Sequence, residues 1–271
     1  MKTLIHNIKF IYTSTQVPPV KGNHMARVKK IDQAYIIIED DQIIKIAQGD
    51  YQNDMKGITH LYDAKQTIAI PGLIDAHTHL VYGGSREAEF SKKIAGVPYL
   101  DILESGGGIL STVYSTQKAS FDELYNQAKK SLDEMVLFGV TSLEVKSGYG
   151  LDLETEIKQL KVAKKLNENH PIDIHATYLG AHALPQAFKD RRTDYVEQVI
   201  RDLNIIHKES LAEYVDVFCE TGVFTADETH KILSAAKKLN FKLRVHTDEI
   251  DAIGGTKVSL DLGAKTVDHL M

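Results

Sequence analysis

From Pro71 onward, short strand-like runs alternate with amphipathic stretches, and this alternation restricts the fold more than any other feature of the sequence. Parallel neighbours need a crossover of a dozen or more residues, so strand–helix repetition implies a parallel sheet covered by helices. The strands are expected at residues 72–80, 141–146, 172–179, 215–220, 242–247 and 266–270. Between them, residues 121–138 place Leu124, Ala128, Leu132, Met135 and Val136 on one helical face. Residues 153–166, 194–211, 226–239 and 253–262 show the same period. Ser120-Phe-Asp-Glu123 and Thr225-Ala-Asp-Glu228 have the pattern of capping boxes and mark two helix starts.

Polar and ionisable residues recur at the C-terminal ends of these strands, which favours a (β/α)8 TIM barrel over a doubly wound sheet. Only about six strands are legible, so the barrel domain, residues 71–271, is expected to be truncated and incomplete at its C-terminal end. Residues 1–70 differ. Runs at 4–12, 34–39, 42–47 and 67–70 read as strands, Asp40-Asp41 as a hairpin turn, and no segment has a helical period. They are expected to form part of a small β-sandwich domain.

A net charge of −5 opposes binding to a phosphate backbone, so a small-molecule partner is expected and nucleic acid is not. No run approaches the ~20 apolar residues of a membrane-spanning helix. Residues 1–10 also lack the apolar core of a secretion signal, and a cytoplasmic location follows as the expectation. Cys219, the single cysteine, has no internal disulfide partner and reads as a packed thiol in a buried strand.

The chemistry centres on Pro71-Gly-Leu-Ile-Asp-Ala-His-Thr-His79. His77 and His79 are two apart in a strand, so both rings point to one face and suit a borderline metal such as zinc or ferrous iron. Further histidines close other strands: His182, His246 and His269. His175 lies earlier in its strand and reads as packed. Glu249, three residues past His246, is placed either to shuttle a proton or to favour the next helix start. Arg86, just after the metal strand, is suited to a bidentate grip on a carboxylate or to simple solvation. Tyr149 in Lys146-Ser-Gly-Tyr-Gly150 either binds ligand or packs. Ser105-Gly-Gly-Gly-Ile109 fits neither nucleotide-binding glycine spacing and reads as a lid or loop.

The histidine strand resembles the amidohydrolase superfamily. Further blocks are similar to the imidazolonepropionase family within it: residues 106–113, Glu144-Val-Lys-Ser-Gly-Tyr-Gly-Leu-Asp152, Leu179-Gly-Ala-His-Ala-Leu-Pro185, Asp216-Val-Phe-Cys-Glu220 and His246-Thr-Asp-Glu-Ile250. Tyr114 and Thr221 depart from the family pattern, where a basic residue and a lysine are expected. The resemblance implies one divalent metal, Zn2+ or Fe2+/Fe3+, held by His77, His79 and His246. A further aspartate ligand is expected on a strand beyond residue 271. It places Arg86, Tyr149, His182 and Glu249 at the substrate, 4-imidazolone-5-propanoate. His182 would stabilise an oxyanion, and Glu249 with His269 would manage protons. The implied reaction is hydrolysis of the cyclic amide to N-formimidoyl-L-glutamate in histidine degradation, by a homodimer when full length. Two alternatives stay open: a related deaminase of a heterocyclic ring, and an inactive truncated fragment.

Overall fold

A computed structural model describes residues 1–15, 19–97 and 107–271. Contacts divide the chain into two units, Met1–Gly72 and Leu73–Met271. The first is a five-stranded sheet of β1 (Lys2–Ser14), β2 (Val28–Glu39), β3 (Gln42–Gln48), β4 (His60–Asp63) and β5 (Ile68–Ala69). Its order is β3-β2-β1-β4, with β5 also pairing β1. β2 and β3 form a two-residue hairpin, in which Glu39 pairs with Gln42 and Asp40 adopts a φ of +54°. The β1–β2 register shifts between Ile5 and Ile8, where Asn7 has a φ of +57°. Apolar contacts form two small clusters, Leu4/Tyr35/Ile37 and Ile8/Ile11/Ala34/Ala64. The first half of β2 escapes the sequence pattern because Val28-Lys-Lys-Ile-Asp-Gln33 is largely exposed and has little apolar alternation to show.

In the second unit, β6 (Leu73–Thr78), β7 (Val140–Lys146), β8 (Asp173–Ala181), β9 (Tyr214–Cys219), β10 (Lys242–Thr247) and β11 (Thr266–His269) form one sheet. Each strand pairs in parallel with the next in sequence. A doubly wound sheet reverses its strand order at a switch point, and this one does not. It also curls. The Arg244 guanidinium on β10 donates to the Ala76 carbonyl on β6 at 3.2 Å, and His77 Nδ1 lies 3.1 Å from Asp268 Oδ2 on β11. The architecture is α/β, with six strands wound as in a (β/α)8 barrel.

Helices α1 (Glu87–Ile94), α2 (Ile109–Lys118), α3 (Phe121–Leu137), α4 (Leu153–Asn169), α5 (Arg192–Lys208), α6 (Ala226–Lys238) and α7 (Gly255–Leu262) belong to the same unit. Both capping boxes are present, at Ser120 and Thr225. α1 and α2 were not expected. Ile109-Leu-Ser-Thr-Val-Tyr-Ser-Thr-Gln-Lys118 is rich in β-branched and hydroxyl residues of modest helix propensity, which masks its period. The glycine segment expected as a lid or loop lies partly outside the described residues, and its last residue, Ile109, opens α2.

Strand alternation creates the site. Leu143 and Val145 of β7 join Leu124, Leu132, Val162 and Leu166 in one buried cluster. Val215, Val217, Leu243 and Val245 join Leu203, Ile206, Ile232 and Leu233 in another. Side chains with a period of two must then turn Glu144, Lys146, Asp216, Arg244 and His246 to the opposite face. That inner face is ionisable. Cys219 packs in the apolar cluster, and burial pushes its thiol pKa up.

Candidate metal centre

Parallel strands finish at one rim, where the histidines gather. His77 and His79 have ring centroids 5.5 Å apart, and His246 lies 4.5 Å from His77 and 5.6 Å from His79. His269 is 5.2 Å from both His77 and His246, while His182 stacks on His79 at 4.8 Å. Tyr149 lies beside His79 and His182, at 5.4 and 5.3 Å. Ligand atoms of His77, His246 and His269 fall within 4.8 Å of one another.

Burial determines the state of several rings. It holds the His79 pKa well below the usual range, helped by the neighbouring His182 and His246. Burial likewise pushes His182 down to about 3, with His246 adding to the effect. Both are therefore neutral imidazoles at neutral pH, the form that ligates metals. Among the described residues, three buried histidine nitrogens, His79 Nδ1 and both ring nitrogens of His246, have no hydrogen-bond partner, although an Asp216 oxygen lies 2.8 Å from His246 Nδ1 as an ion pair. Leaving such atoms unpaired is costly, so the donor set fits a divalent ion of borderline softness.

Carboxylates flank the rings. Asp216 Oδ2 lies 2.8 Å from His246 Nδ1, and Asp216 Oδ1 accepts the His246 backbone N–H at 3.1 Å. Lys146 donates to Asp216 at 2.8 Å and to Glu144 at 3.0 Å, and Thr177 also donates to Glu144. Burial opposes the lysine's charge, but Asp216 and Glu144 outweigh it and raise its pKa. Burial also opposes ionisation of Asp216, yet His246 and Lys146 hold its pKa well below the usual range. Sequence reasoning looked past residue 271 for a carboxylate and missed these. The available signal was the alternation Leu143-Glu-Val-Lys146, apolar outward and ionisable inward.

Among the other expected residues, Glu249 and His269 come together, with Oε2 and Nε2 3.6 Å apart. Backbone N–H groups of Glu249, Ile250 and Asp251 each donate to the Glu220 carboxylate at 3.0 Å, which fixes the loop carrying Glu249. Arg86 is exposed at the boundary of α1, and no described side-chain contact joins it to the cluster. His175, expected to be packed, is half-exposed and pairs with Glu213 at 2.9 Å, because it sits at the N-terminal end of β8, away from the rim. The expected oxyanion role of His182 meets a tautomer problem. Its Nδ1 lies 2.9 Å from the Gly148 carbonyl, which only accepts, so Nδ1 carries the proton and Nε2 the lone pair.

No family profile matches the chain. Imidazolonepropionases of Streptococcus pyogenes serotype M6 and Streptococcus sanguinis are each 50% identical over 255 residues, covering 93% of this chain. The chain spans 61% of the length of those curated relatives. Among solved structures, guanine deaminase from C. acetobutylicum with bound guanine superposes with a TM-score of 0.61 at 11% identity, covering 100% of this chain and 63% of that one. A. niger ochratoxinase gives 0.62 at 15% identity over 98% and 59%. An uncharacterized metal-dependent hydrolase from Pyrococcus furiosus gives 0.60 at 13% identity over 99% and 72%. At such identities these structures speak for the fold alone. By sequence the chain is similar to the imidazolonepropionases, and its barrel is similar in fold to those of the solved hydrolases and deaminase just named.

Proposed function

We propose that this protein hydrolyses the cyclic amide of 4-imidazolone-5-propanoate to N-formimidoyl-L-glutamate, using one divalent ion, Zn2+ or iron, at His77, His79 and His246. The observation that carries the reading is 50% identity to imidazolonepropionases over 93% of the chain. His79 is preferred to His269 as the third ligand because its Nδ1 is buried without a partner, whereas His269 already faces Glu249. An ion held there would supply Lewis-acid activation of water and of the ring carbonyl.

The remaining steps belong to side chains. With Nδ1–H committed to Gly148, neutral His182 offers Nε2 as an acceptor for a ring N–H of the substrate. Glu249 takes the proton of the attacking water and returns it to the departing ring nitrogen, with His269 as its partner 3.6 Å away. Arg86 anchors the propanoate through a two-pronged ion pair, and Tyr149 closes the wall beside His79 and His182. A homodimer in the cytoplasm completes the proposal, and light scattering checks the pairing.

Turnover is the test. Metal-loaded protein is offered 4-imidazolone-5-propanoate beside guanine and cytosine. Ring opening of the first with no ammonia from the others is expected. Deamination of the bases without ring opening would transfer the assignment to a deaminase. Arg86→Ala should raise KM at least tenfold while largely sparing kcat, and an unchanged KM removes the anchoring role.

A further inference from the structure

Lys146, Glu144, Asp216 and Asp268 have no part in the reaction just described, yet they lie directly under the histidines. The Lys146 side chain is fully buried, an arrangement that costs several kcal/mol unless the ammonium is paired. Its Nζ lies 2.8 Å from Asp216 Oδ2, 3.0 Å from Glu144 Oε1 and 3.5 Å from Asp268 Oδ2. Two of those carboxylates also face rings: Asp216 is 2.8 Å from His246 Nδ1, and Asp268 is 3.1 Å from His77 Nδ1. A carboxylate on one ring nitrogen holds the proton there and leaves the lone pair on the other.

Resting on the metal reading above, we infer that Asp216 and Asp268, locked by the Lys146 ammonium, are positioning residues that present Nε2 of His246 and His77 to the ion. The lysine has a second consequence. Ligand atoms of Asp216, His246 and Asp268 lie within 4.8 Å of one another and would themselves attract a cation. The tethered ammonium satisfies both carboxylates, so the ion is left to the imidazoles.

Cobalt(II) titration of the whole chain, followed by its visible d–d absorption, tests this without relying on turnover. The wild-type chain is expected to take up one equivalent. Asp216→Asn keeps the side-chain shape but removes its charge, and should weaken Co2+ binding at least tenfold and move the band. Lys146→Met should raise the coordination number as freed carboxylates reach the ion, which lowers the band intensity. Removing one member of a buried pair is strongly destabilising, whereas removing both is often tolerated. The double variant Lys146→Met/Asp216→Asn therefore keeps the test open should either single variant fail to fold, and it should show the weakened binding too. Circular dichroism confirms folding. Folded variants with wild-type affinity and an unchanged band overturn the inference while leaving the metal reading intact. A wild-type chain that takes up no Co2+ removes both.

Discussion

At the scale of single residues, burial around the histidine cluster makes a definite statement about pH. The His182 pKa of about 3 in the folded chain lies below its ordinary value of 6.5, so between those limits the unfolded chain binds the extra proton. Its stabilising contribution is complete above pH 6.5 and is lost as pH falls toward 3. The metal-free chain should therefore show a urea midpoint that declines through this window. His182→Gln, which retains a donor for the Gly148 carbonyl, should flatten part of that decline; an equally steep profile would show that the ring titrates freely. The His-x-His pair and the rim histidines were legible because two residues in a strand share a face. Lys146 and Asp216 were not, since charged residues within strands usually face water. Only curling of the sheet turns their face inward.

At the scale of elements, strand and helix placement was legible wherever a buried face imposed a period. Leu124, Ala128 and Leu132 of α3 are buried as their spacing required and Met135 is partly buried, whereas Val136, expected on the same face, is exposed. α2 stayed hidden because its residues favour no helix, although Thr112, Val113 and Thr116 bury one side of it. Local signals also carry energy. In α6, Thr225 accepts the Glu228 N–H while the Glu228 carboxylate accepts the Thr225 N–H. Thr225→Ala should cost about 1 kcal/mol in chemical denaturation, and no measurable loss would mean that the cap contributes nothing. The loop after β10 depends instead on the Glu220 carboxylate, which accepts three of the loop's backbone N–H groups. Glu220→Ala should free the Glu249 loop, lowering kcat for the proposed ring opening by metal-loaded protein while leaving metal affinity within twofold. A parallel loss of metal would instead tie Glu220 to the histidine centre.

At the scale of the whole molecule, the sequential strand order and the meeting of β6 residues with those of β10 and β11 are what assemble one site from distant segments. His77 and His246 are 169 positions apart in numbering, yet their rings lie 4.5 Å from each other. Helix burial maintains that curl. Leu203, fully buried against β9 and its neighbours, should cost about 2–5 kcal/mol when changed to alanine, and a smaller loss would indicate a loosely filled interior. Topology was only partly legible, because alternation implies parallel strands but the closing contacts are made between residues far apart in sequence.

If these rings form one metal centre, the metal content of purified protein must show it. After dialysis against zinc or ferrous iron and removal of excess, elemental analysis should find one equivalent per chain, falling to a small fraction in His77→Ala and His246→Ala variants that remain folded. Wild-type protein without bound metal, or variants that retain the full equivalent, would contradict it.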